Sequence, residues 1–110
     1  MGRTHHLLDA VTAAPATPTV VYPQRASDET GIFQGSQPSA TGTFTVNLQG
    51  RLSPNAPWYD IEEILYDSTD DHNDMASTPF TISAVVVIFP EMRVNVSAIS
   101  GATVSAWLSE

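Results

Sequence analysis

Thr43-Phe44-Thr45-Val46-Asn47-Leu48-Gln49 alternates without a break. Phe44, Val46 and Leu48 fall on one face and Thr43, Thr45, Asn47 and Gln49 on the other. That period of two is the mark of a β-strand with one face buried and one in water. Ser83-Ala84-Val85-Val86-Val87-Ile88-Phe89, ended by Pro90, is also β-branched but does not alternate. A strand with one solvated face would. Ala84, Val86 and Ile88 suit a sandwich core. Val85, Val87 and Phe89 then need a second cover, from an N-terminal arm, a sister subunit, a partner protein or the chain's own loops.

Outward from these two strands the chain is densely punctuated, with eight Pro and six Gly among many Ser, Thr, Asn and Asp. Such spacing suits many short strands, and no amphipathic helix of ordinary length is evident. Val20 and Val21 lie in a short apolar piece closed by Pro23, and Gly31-Ile32-Phe33-Gln34-Gly35-Ser36 reads as a strand. Gly50 suggests a bulge before Arg51. Residues 58–66 fit either a helix, with Trp58, Ile61 and Leu65 at helical spacing, or a strand, and strand is preferred. Residues 67–77 read as a polar loop. At the C-terminal end, a three-residue loop Ile99-Ser100-Gly101 would make a hairpin. It pairs Val96 with Val104 and Arg93 with Trp107, keeps both faces consistent, and puts Gly101 in the left-handed region.

Near the N-terminus, Leu7, Leu8 and Val11 precede an Ala/Pro/Thr stretch over residues 12–18, too poor in bulky side chains to pack alone. The expected organisation is an extended arm over residues 1–18 and one β-sandwich domain over 19–110. The expected fold class is all-β: a single two-sheet antiparallel sandwich, jelly-roll or immunoglobulin-like, of about 7–8 strands.

Twelve acidic residues face four arginines and no lysine, a net charge of −8. Nucleic-acid binding depends on Lys and Arg displacing counterions, so nucleic acid and anionic membrane are poor partners. The longest apolar run is far shorter than the ~20 residues that span a bilayer. With no cysteine, neither disulfides nor thiolate chemistry contribute. The opening Met1-Gly2-Arg3-Thr4-His5-His6 lacks both a signal-peptide core and the Ser/Thr of a myristoylation site, so the expectation is an unprocessed product made in a cytoplasm.

Several groupings could carry chemistry. Asp67, Asp70, Asp71 and Asp74 are dense enough to suggest a hard cation, but the loop lacks the glycine and the terminal Glu of an EF-hand and reads as a solvated turn. Glu62 and Glu63 alternate in a strand, which leaves Asp60 and Glu62 on one face without an evident substrate pocket. His5, His6 and His72 read as surface histidines, and no catalytic triad is discernible. Asn95-Val96-Ser97 matches a glycosylation sequon in mid-strand, with no secretion signal to go with it. Trp58, Tyr59, Tyr66 and Trp107 would suit a sugar-stacking platform, although aromatics in a small β-domain more often fill core or interface. No catalytic, cofactor or metal residue is expected.

Three passages resemble small decoration or cement proteins on the heads of tailed bacteriophages. They are Leu7-Leu8-Asp9-Ala10-Val11-Thr12-Ala13, Thr45-Val46-Asn47-Leu48-Gln49-Gly50 leading to Trp58-Tyr59, and residues 89–98 followed by Ser100-Gly101 and Thr103-Val104-Ser105. Arg51-Leu52-Ser53-Pro54-Asn55-Ala56-Pro57 departs from the Asp-Gly loop usual in that group. The resemblance implies a non-enzymatic virion protein on the capsid exterior, with the major capsid protein as partner and self-association as trimer or dimer. Contacts with capsid or sister subunit are then expected at Leu7, Leu8, Val11, Val85, Val87, Phe89, Arg93 and Trp107. The alternative is a carbohydrate-binding or adhesive module of a phage tail or fibre.

Overall fold

A computed structural model describes residues 4–24, 29–37, 42–67 and 80–110. The expected polar loop, with its calcium question, lies almost wholly outside them. Seven strands are present: β1 (Thr4–Val11), β2 (Thr30–Gln37), β3 (Thr43–Arg51), β4 (Tyr59–Asp67), β5 (Phe80–Val87), β6 (Glu91–Ser100) and β7 (Val104–Ser109). They form two antiparallel sheets, one ordered β1-β7-β2-β5 and the other β4-β3-β6. The all-β, two-sheet reading holds, as does the choice of strand for residues 58–66, of which all but Trp58 fall in β4.

Alternation builds the interior. Along β3 every second residue is buried, and Phe44, Val46 and Leu48 meet Val94, Val96 and Met92 of β6 on the inner face. The four-stranded sheet supplies Phe33, Val86, Val104, Ala106 and Leu108, with Ile88 just beyond β5. Phe33, Leu48, Ile88 and Leu108 are wholly inaccessible to solvent, and each such side chain contributes about 1.5–3 kcal/mol of transfer free energy.

Three expectations are corrected. The first concerns the arm. Residues 4–11 pair with β7 as an edge strand, and Leu7 and Leu8 are both core residues. Regular alternation would send one leucine outward. Instead, the register shifts between His6 and Leu8, so Leu7 is an extra residue of a bulge and both side chains turn inward. A second shift before Val11 contains Ala10 at φ 48°. Only the segment after Val11 is irregular, and it crosses to the other sheet, where Val21 makes a single antiparallel bridge to Met92 rather than a strand.

The second correction is the C-terminal hairpin. β6 pairs with β3 and β7 pairs with β1 and β2, so the two strands belong to different sheets and Val96 lies opposite Val46, not Val104. The face assignment holds for Val94, Val96, Val104, Ala106 and Leu108, which are all buried, but a register shift after Val96 turns Ala98 outward opposite Thr45. Those buried residues meet across the core instead of side by side. Gly101 does adopt a left-handed conformation (φ 68°), but in the connection that carries the chain from one sheet to the other.

The third is the carboxylate pair on β4. A register shift places Asp60 opposite Gln49 and Glu62 opposite Leu48, leaving Ile61 as the extra residue. Asp60 and Glu62 therefore do not share a face. Gly50 is not itself the bulge. Its role is close approach: a Cβ there would stand 2.5 Å from the ring of Phe89.

Candidate functional site

The residues expected at an interface separate into four places. Leu7 and Leu8 are in the core, and Val11 packs half-buried against it. They are unavailable to a partner while β1 stays paired.

Val85, Val87 and Trp107 do share a surface, the outer face of the four-stranded sheet. Val85 is 73% exposed and Val87 46%. Val85 lies opposite Ile32 of β2, which is itself 51% exposed, and Gln34 of β2 lies opposite Trp107. The indole stacks on His6 of β1, with ring centres 5.1 Å apart and planes at 8°. Ile32, Gln34, Trp107, Thr4 and Ser109 line a shallow depression of about 450 Å³. A stripe of apolar and aromatic groups thus runs across this sheet, and β5 at its edge holds no charged residue over eight positions. Neither Ile32 nor His6 was legible as part of this surface, because β2 and β5 are adjacent in space but distant in sequence.

Arg93 is on the other sheet. Its guanidinium lies 4.2 Å from the ring centre of Trp58, not beside Trp107, and that of Arg51 lies 4.3 Å from the same ring. Register explains the meeting. Arg93 is opposite Gln49 and Glu91 is opposite Arg51, so four outward side chains of β3 and β6 form one patch, and the loop after β3 lays Trp58 on it. Arg51 donates from Nε and Nη2 to Glu91 Oε1 at 3.0 and 2.9 Å, and from Nη1 to the Pro54 carbonyl at 3.2 Å. Arg93 Nε donates to Gln49 Oε1 at 2.8 Å, and Gln49 Nε2 donates to Asp60 Oδ1 at 2.8 Å. Burial, and next to it the charge of Arg51, lower the Arg93 pKa from its ordinary value.

Phe89 occupies the fourth place, the end of the sandwich. It packs against Gly50 and stacks on Tyr59 with ring centres 6.2 Å apart. Around them Leu52, Pro57 and Tyr59 border a hollow of about 360 Å³ adjoining Arg51.

A further cluster, of residues not expected at an interface, is buried. His5 Nε2 lies 2.6 Å from Glu110 Oε2, and the Gln24 N–H donates to Glu110 Oε1 at 2.9 Å. This tie joins β1, the crossing segment and the chain end; its side chains are largely inaccessible.

The single aromatic platform does not form. Trp58 and Trp107 stand on different sheets, and Tyr59 stacks on Phe89. Among the described residues no three His, Cys, Asp or Glu side chains gather as metal ligands, and no helix is long and apolar enough to cross a membrane.

No protein family, curated protein or solved structure matches the chain. The likeness to phage decoration proteins therefore rests on the short sequence motifs alone.

Proposed function

We propose that this is a non-enzymatic virion structural protein, a decoration or cement protein that binds the exterior of a phage head and stabilises contacts between capsomers. The observation that carries the reading is the outer face of the four-stranded sheet. Val85, Val87 and Ile32 are exposed side by side, and the β5 edge has neither charge nor proline to discourage contact. An apolar stripe of this kind on a chain of net charge −8 favours a protein partner over nucleic acid. The sequence motifs supply the class of partner, the major capsid protein.

The test is co-sedimentation with capsids assembled from the major capsid protein encoded in the same genome. The wild-type chain should pellet with capsids, and Val85→Asp combined with Val87→Asp should remain in the supernatant while still melting cooperatively. A wild-type chain that never pellets rejects the proposal. One that pellets equally well with both valines replaced moves the contact to another surface.

A further inference from the structure

We propose that the corner made by Arg51, Trp58 and Arg93, with the hollow beside it, is a docking site for a partner segment in which a carboxylate stands next to an apolar or aromatic side chain. This surface is on the sheet opposite the valine stripe, so the inference is independent of the capsid reading and can fail without it.

Charge is the first argument. The chain carries twelve acidic residues and four arginines, yet two of those arginines stand over one indole. Like charges held together oppose each other unless something answers them. Arg51 is answered within the chain, by Glu91 and the Pro54 carbonyl. Arg93 is not. Its hydrogen bond goes from Nε to a neutral amide oxygen of Gln49, and among the described residues no carboxylate lies within ion-pair distance of it. A guanidinium carries five N–H donors in a planar fork, and among the described residues neither Nη group of Arg93 has a hydrogen-bond acceptor. Stacking on Trp58 holds that fork in one orientation, which lowers the entropy lost when a carboxylate binds it in two-point fashion.

Apolar surface is the second argument. Leu52 and Tyr59 at the rim of the neighbouring hollow are 66% and 64% exposed. Phe89 forms part of the wall. Tyr59 and Arg51 line the hollow and Trp58 lies against Arg51; Tyr, Trp and Arg are the residue types that dominate binding energy at protein interfaces. Net charge narrows the class of partner. A polyanion would meet repulsion from the whole chain, whereas one carboxylate beside an apolar group adds a single charge and fills the hollow. Sugar is disfavoured because the indole it would stack on already carries two guanidiniums.

The probe is the acetylated, amidated dipeptide Glu-Phe, titrated into the whole chain and followed by NMR at the Trp58 indole N–H and the Arg93 Nε–H. Saturable shifts of both signals are expected, with Gln-Phe binding about tenfold more weakly for want of the charge. Arg93→Gln should lose about tenfold in affinity while melting at the same temperature or higher, since it removes a like-charge neighbour of Arg51. Tyr59→Ala, at an exposed position, should weaken binding without affecting the fold. No saturable shift up to about 10 mM would overturn the proposal, as would equal binding of Lys-Phe. Acetate alone matching the dipeptide would show an adventitious anion only. A lowered melting temperature for Arg93→Gln with undiminished binding would make Arg93 structural.

Discussion

Thr45 on β3 and Val85 on β5 hold equivalent positions, each pointing out of a strand whose other face is in the core, yet they belong to opposite kinds of surface. β3, β4 and β6 all carry charged residues, whereas β2, β5 and β7 carry none. The outer face of the three-stranded sheet carries a polar ladder in which Gln49 links Arg93 to Asp60 and Glu91 answers Arg51. On the four-stranded sheet Ile32, Val85 and Val87 are exposed with no such ladder. The inner faces are alike and the outer faces are not. Core burial is therefore shared between the sheets, whereas association is expected to differ between them. Cross-strand polar pairs contribute little each to stability but keep a face wetted, and an unladdered apolar face gains free energy when another surface covers it.

Removing residues 1–11 puts the comparison under the greatest strain, because only the four-stranded sheet depends on the chain's first strand. Two buried leucines and an edge strand go with it. Loss of the leucines alone costs about 4–10 kcal/mol, comparable with the ~5–15 kcal/mol that holds a domain together. The truncated chain should show no cooperative thermal transition. A sharp melt would mean that β1 is dispensable and closer to the expected arm.

Phe33→Ala and Phe44→Ala test whether the inner faces are equal. Both rings are buried, at 0% and 1% exposure, and each truncation should cost about 3–5 kcal/mol in urea unfolding. A much cheaper Phe33→Ala would show the four-stranded sheet to be the looser of the two.

A smaller effect is expected where the chain crosses between sheets. Gly101→Val forces a β-branched residue to a φ of 68° and should cost about 1–2 kcal/mol. Substitution without loss would mean that the crossing can be made in ordinary backbone.

The smallest effects belong to the outer faces themselves. Val85→Asp and Thr45→Asp should each change the stability of the isolated chain by less than about 1 kcal/mol. A second face covered by the chain itself would make the β5 substitution the costlier, but Val85 is the more exposed of the two. Their difference should appear in association, read by co-sedimentation. If Val85→Asp is several kcal/mol worse in the isolated chain, that face is covered by the chain itself.

Much of this was legible in the sequence. Strict alternation marked β3 and its buried face, and the unbroken apolar run of β5 marked Val85 and Val87 as side chains without an obvious place. Arg93 was expected beside an aromatic ring, but the ring was misassigned, because pairing it with Trp107 assumed that consecutive strands adjoin. The bulge that turns both Leu7 and Leu8 inward left no local signature. Trp58 stood out only as a possible stacking aromatic and Arg51 not at all, since their meeting depends on a loop folding back over β3 and β6.

By itself the sequence determined the all-β class, most of the strands, which side of β3, β7 and the first part of β6 is buried, and the left-handed turn at Gly101. Each is a local property: side chains alternate with a period of two, and a glycine needs no neighbour to adopt a positive φ. Only the tertiary structure decided that β6 joins β3 while β7 joins β1 and β2, that residues 4–11 belong to the body, and that Trp58 covers two arginines. In a sandwich the inner faces of both sheets meet in the same core, so a correct reading of which residues are buried is compatible with strands lying side by side or facing one another across it. Period-two patterning specifies the face of a strand. Its neighbour is selected by how the whole set of inner side chains packs.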